Sequence, residues 1–138
     1  MRKYTKSNKG RAVKWNPAPD IKKRVIVLAK NLHLDWLDTR SIYCVRSQGT
    51  NTRAISRIWG LSRIWQITLS TRPSYIIEVI SEKFDRLGET EKDKVLLHEI
   101  AHIPRNFSGS LLPHTRRGKN KFYDKVRYLV AQYLKYIQ

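Results

Sequence analysis

Apolar positions along this chain alternate between helical and strand-like spacing, and that alternation predicts its elements in order. Ile21, Val25, Leu28, Ala29 and Leu32 fall on one helical stripe behind Asp20, a good N-cap, which predicts a first helix over about 20–32. "SIYCVRS" at 41–47 is β-branched and aromatic and reads as a strand, broken by "SQGTN"; Ala54–Trp59 reads as a second. Residues Arg63–Leu69 fit either a strand or a short helix. The tetrapeptide SRIW occurs twice here, six residues apart, too short a period for a solenoid or propeller repeat. "SYIIEVIS" at 74–81 predicts a further strand. Thr90 then stands as the cap of a helix, with Asp93 at the capping-box position and Glu91 in the positive first turn. Phe122, Val126, Leu129, Val130, Tyr133, Leu134 and Ile137 step by three or four behind Asn120, a candidate cap, and predict a terminal amphipathic helix. Trp59, Trp65, Tyr75 and Phe107 are expected in the core. The order is that of a small α+β domain with a sheet of about three strands, spanning 18–138. Residues 1–14 are polar, basic and aperiodic, and the expected flexible basic arm runs to 17, closed by Pro17 and Pro19.

Composition narrows the class. A chain of 138 residues buries roughly 68% of its unfolded surface, and a hydrophobic fraction of 41% with four tryptophans fits one folded body rather than disorder. The longest apolar run, "VIVLA" at 25–29, is too short to span a bilayer, and the N-terminal stretch has no apolar segment of the kind a secretory signal needs. Cys44 is the single cysteine, which excludes an internal disulfide and a thiolate zinc cluster and suits a reducing, cytoplasmic setting. The formal charge is +17. Residues 1–60 carry 14 Lys/Arg against three Asp/Glu (net +11), and residues 61–138 carry 14 against eight (net +6). Such an excess attracts polyanions, nucleic acid included, or simply keeps a basic surface solvated. Seven of the carboxylates gather at 78–99, where the sign of the chain locally reverses.

That acidic region leads into "KVLLHEIAHIPRNFSGSLLPH", Lys94 to His114, which holds three of the four histidines. On a helix, His98 and His102 project from one face, close enough to share an ion. Glu99 lies about 100° round from His98, beside such an ion, where it can take a proton from a bound water. Leu96, Ile100 and Ile103 occupy the opposite face and anchor the helix. Pro104 disfavours helical geometry at Ile103 and ends the helix just past the motif. The loop "RNFSGSLLP" can then return His114 as a third ligand, matching the three protein ligands and one open position of a catalytic zinc site. Asp124, one helix further on, competes with His114 for that place. Three imidazoles without a thiolate favour zinc, although manganese, cobalt or nickel accept similar donors. His33, at the end of the first helix, has a structural role.

Two accessory assignments follow. Glu78 interrupts the apolar run of 74–81 and is a candidate to hold a ligand histidine's other nitrogen, with a solvent-facing strand carboxylate as the alternative. Arg116 or Arg117, just after the third histidine, is placed to stabilise an oxyanion, with a solvated basic loop as the alternative. The strand 74–81 is the candidate to receive an extended peptide at the sheet edge.

The combination of HE-x-x-H, the "HIP" ending, the "SG" loop and the late histidine, with "RIWGLSRIWQ" and "SYIIEVISEKFDRL" upstream, resembles the phage-type metallopeptidases of archaea, bacteria and their viruses. The resemblance covers about residues 18–136. More distantly, the element order is similar to SprT-like minimal zincins, although "HTRRG" departs from the glycine that usually follows their third histidine. The resemblance implies zinc at His98, His102 and His114 with Glu99 as general base, and less about the substrate beyond its being a polypeptide; the short apolar runs argue against a membrane partner. The SprT-like comparison also fits work near nucleic acid. The alternative function is a non-catalytic DNA- or RNA-binding protein with a structural metal, using residues 1–14 and the basic residues of 116–127. Glu99 discriminates, because a structural site has no use for a base beside an open position.

Overall fold

The computed structural model describes residues 12–114 and 121–138. Strand β1 (Lys14–Pro17), helix α1 (Pro19–Asn31), strand β2 (Ile42–Gln48) and strand β3 (Ser56–Gly60) come first. Helix α2 (Arg63–Leu69), strand β4 (Tyr75–Ile80), the short helix α3 (Ser81–Phe84) and the long helices α4 (Glu89–Ala101) and α5 (Lys121–Ile137) follow. The sheet is mixed, in the order β1-β2-β4-β3: β1–β2 and β3–β4 are antiparallel and β2–β4 parallel. The α+β class is as expected, with four strands rather than about three. The added one is β1, whose residues the sequence reading gave to the arm.

The core lies on one side of this sheet. Ile42, Ile77 and Val79 from the strands meet Ile21 and Val25 of α1 and Leu96, Leu97 and Ile100 of α4, all at most 1% exposed. Burying a Val, Ile or Leu side chain contributes about 1.5–3 kcal/mol, so this layer is the main stabilising term. On the sheet's other side Trp15, Tyr43 and Trp59 stand more than half exposed. Trp59 and Trp65, expected inside, are therefore on the surface; Trp59 alternates outward on β3 and Trp65 projects from α2. Tyr75 is buried, and Phe107 packs edge-on against its ring at 4.9 Å.

Several caps differ from the sequence reading. Helix α1 is capped at Ala18 with Pro19 in its first turn, where a missing N–H costs nothing. Asp20 instead accepts from Arg46 at 2.8–2.9 Å, and Arg46 also reaches Asp85. Helix α4 starts from Gly88 without a side-chain cap, so Thr90 and Asp93 form no capping box. Asp93 accepts from Arg24 of α1 and Tyr133 of α5, fastening α4 between them. His33 adopts φ +55°, with the Leu34 N–H on the Ala29 carbonyl, and so ends α1 as the structural residue it was expected to be. Asn120, the candidate cap of α5, lies outside the described residues. Among those described, no helix is long and apolar enough to cross a membrane.

Candidate metal centre

Helix α4 divides as its sequence requires. Leu96, Leu97, Ile100 and Ala101 are fully buried against the sheet and neighbouring helices, while His98 and His102 look into a cleft of about 930 Å³. The helix tightens at its end: the His102 and Ile103 N–H groups donate to the Glu99 and Ile100 carbonyls, three residues back, and Pro104 stops the turn. The chain then reverses through Phe107 and Gly109, both at positive φ.

That loop is firmly anchored, which the sequence reading did not foresee. The Gln66 side-chain amide donates to the Leu61 and Ser108 carbonyls, and the Tyr75 hydroxyl donates to the Ser110 carbonyl while accepting from the Gly109 N–H. A Cβ on Gly109 would lie 2.3 Å from both Gln66 Nε2 and Leu61 O, and one on Gly60 would lie 2.2 Å from the Gly109 carbonyl oxygen. Only glycine permits these approaches. Finally, Leu112 donates its N–H to the His102 carbonyl at 2.7 Å and so pins the segment that carries His114.

The result is convergence. One ring nitrogen each of His98, His102 and His114 lies within 4.8 Å of the other two. His102 Nδ1 sits 2.6 Å from the Leu112 carbonyl oxygen, which can only accept, so Nδ1 carries the proton and Nε2 the lone pair. That lone pair faces His114 Nε2 at 2.9 Å. Two imidazole nitrogens this close need a proton or a cation between them. Neighbouring nitrogens around tetrahedral zinc stand roughly 3.3 Å apart, so the three donors fit a metal ion of that size. Phe122 of α5 closes the back of the site, its ring stacked on His102 at 4.2 Å.

Burial, followed by the proximity of His102 and His114, lowers His98 to about 4; burial likewise lowers His102. Both stay neutral at neutral pH, the form that binds metal. The sign of the linked stability follows. The folded pKa of His98 lies below its ordinary 6.5, so the unfolded chain takes up the extra proton first. This contribution is present above pH 6.5 and lost as the pH falls towards about 4. Metal-stripped protein should therefore lose thermal stability across that window, and His98→Ala should flatten the slope. An unchanged slope would contradict the assignment.

Glu99 is buried (5% exposed) on the same cleft wall and accepts a hydrogen bond from the Ser56 hydroxyl of β3. Burial raises its pKa, opposed by that bond. Ser56, Leu112 and Phe122 were not foreseen as parts of the site. Phe122 was visible only as one position of an amphipathic stripe, and nothing local marked the other two.

The other assignments divide. Asp124 lies outside the histidine group and pairs at the surface with Arg127, one turn along α5. Glu78 does not reach a histidine: it points to the other side of the sheet, where Arg57 and Trp59 donate to it. Arg116 and Arg117 lie outside the described residues. In the basic stretch 116–127, Lys125 donates to the Ile103 carbonyl and packs over Trp36 at 4.3 Å. Strand β4 cannot receive a peptide, because β2 and β3 occupy both its edges; the free edge beside α4 belongs to β3.

The family model described as "Putative phage metallopeptidase" matches residues 13–135, nearly the whole chain. No curated protein and no solved structure matches.

Proposed function

The chain belongs to the phage metallopeptidase family, and from that premise we propose that it is a zinc-dependent peptidase with His98, His102 and His114 as ligands and Glu99 as general base. The observation that carries this reading is the convergence of three imidazole donors on the cleft wall that also presents Glu99. When bound, the ion supplies Lewis acidity that activates water and polarises a carbonyl. The protein's own groups do the rest. The Leu112 carbonyl fixes the His102 tautomer, and the Phe122 ring keeps water from the back of the cluster. An extended peptide adds to the open edge of β3 through main-chain hydrogen bonds, which hold it without demanding a sequence. Glu99 takes the proton of the attacking water and returns it to the leaving amine, and the Ser56 hydroxyl holds its carboxylate in place.

A non-catalytic metal site would leave Glu99 without purpose. A carboxylate 5% exposed, with one hydroxyl partner and no cation bonded to it among the described residues, is costly to keep. Beside an ion and a reacting water it has a role.

The test is hydrolysis of casein by zinc-loaded protein. Chelation should abolish cleavage and added zinc restore it. His114→Ala should weaken metal binding by more than the roughly 10- to 100-fold that outer-sphere changes cost. Asp124→Ala should leave binding and cleavage near those of the parent. Cleavage that survives chelation, or metal binding indifferent to His114, would refute the reading.

A further inference from the structure

The cleft is not uniform along its length. One end lies where the chain enters β3 and α4 is in its first half: Arg53, Ile55, Lys94 and Val95 line it. Lys94 precedes His98 by one helical turn and so projects from the same face. The other end lies where the returning loop passes the far end of β3. Leu111 there lies 3.4 Å from where a Cβ on Gly60 would sit, Leu112 is tied to His102, and Pro113 completes the wall. Among the described residues, one end is therefore cationic and the other apolar, with the histidine cluster between them.

The charges at the cationic end are available. Of the three lysine and arginine side chains that line the cleft among the described residues, Arg57 is committed to the buried Glu78. Arg53 is exposed and has no acidic partner among the described residues. Among the described residues Lys94 pairs only with Glu91, at 3.8 Å, and with Glu91 62% exposed the pair contributes little. Among the described residues the cleft's only lining carboxylate is Glu99, buried and bonded to Ser56. An incoming lysine or arginine would meet like charge at this end, whereas an aspartate or glutamate would find two under-used cations.

We propose that the cleft selects its substrate by charge: an acidic side chain binds between Arg53 and Lys94, and an apolar side chain rests against Leu111 and Pro113. This names the substrate class for the peptidase reading and rests on it, but it concerns binding, so it can be tested without turnover.

The experiment uses zinc-loaded Glu99→Gln protein and fluorescent peptides of equal length carrying Glu, Gln or Lys at one position and a constant leucine. Fluorescence anisotropy at physiological salt should show the Glu peptide binding about tenfold or more tighter than the Lys peptide. The double variant Arg53→Glu, Lys94→Glu should reverse that order, and Arg53→Gln, Lys94→Gln should level it, with unfolding temperatures unchanged because both side chains reach solvent. No preference, or one unmoved by these changes, overturns the proposal. So does an end that binds a single-stranded oligonucleotide through Arg53 and Lys94 while ignoring the acidic peptide, since its ligand would then be phosphate. A protein that sorts peptides as described yet cleaves none refutes the peptidase reading and leaves charge selection standing.

Discussion

Glu99→Gln should lower peptide hydrolysis by roughly 10²- to 10⁴-fold, the range over which a positioned general base acts. The substitution keeps the volume of the side chain and an oxygen able to accept from Ser56. It also removes a buried charge that no described cation contacts by hydrogen bond or ion pair. Folding and metal content should therefore match the parent protein, and thermal stability should hold or rise slightly. The measurement pairs initial rates of casein cleavage with metal analysis and a melting curve on the same preparation. A rate within a factor of two of the parent, at equal metal content, would remove Glu99 from the reaction. The neighbouring histidines give the contrasting result: His98→Ala should lose metal and rate together.

The active helix was legible because its information is local. A spacing of four residues puts His98 and His102 on one face, and the apolar residues between them face the core wherever the helix packs. The terminal helix was legible for the same reason, with Phe122, Leu129 and Tyr133 buried along one stripe. Strand β1 left no such trace, since all four of its residues are exposed and no alternation of apolar and polar positions records its pairing. The first-turn positions misled because Asp20 and Asp93, good caps by type, are held by Arg46 and Arg24 from distant segments. The site shows the same division. The three ligand candidates could be named from the motif and a loop length, while Ser56 reaches Glu99 across 43 residues and needed the sheet order to be found. Glycines 60 and 109 mattered through a close approach that neither neighbourhood announces.

Arg57→Ala tests the one strand carboxylate whose role the sequence left open. Glu78 is 0% exposed on β4, an inner strand of the four, between Val45 of β2 and Arg57 of β3 in register. Burial alone would raise its pKa, but hydrogen bonds from Arg57 at 2.8 and 3.2 Å and from Trp59 at 2.9 Å outweigh burial and hold it at about 2. Removing the guanidinium leaves a buried charge with neutral donors alone, Trp59 among them. Breaking such a pair costs about 3–5 kcal/mol, and since Arg57 is one-third exposed, the low end, about 3 kcal/mol, is expected. In a domain of this size that is a fall of about 10 °C in the unfolding midpoint. Because the folded pKa lies below the unfolded value near 4.5, the stability Glu78 contributes is present above pH 4.5 and lost as the pH falls towards about 2. The loss caused by Arg57→Ala should accordingly shrink as the pH is lowered through that window. Adding Glu78→Gln should recover much of it at neutral pH, since an uncharged amide can keep the Trp59 bond without needing a cation. Equilibrium denaturation of the parent, both single variants and the double variant measures all of this. A loss below about 0.5 kcal/mol would mean that solvent, not Arg57, carries the Glu78 charge. Zinc affinity gives the independent check: Glu78 lies across the sheet from the histidines, so Glu78→Gln should leave it unchanged, and a drop of tenfold or more would restore Glu78 to the metal site.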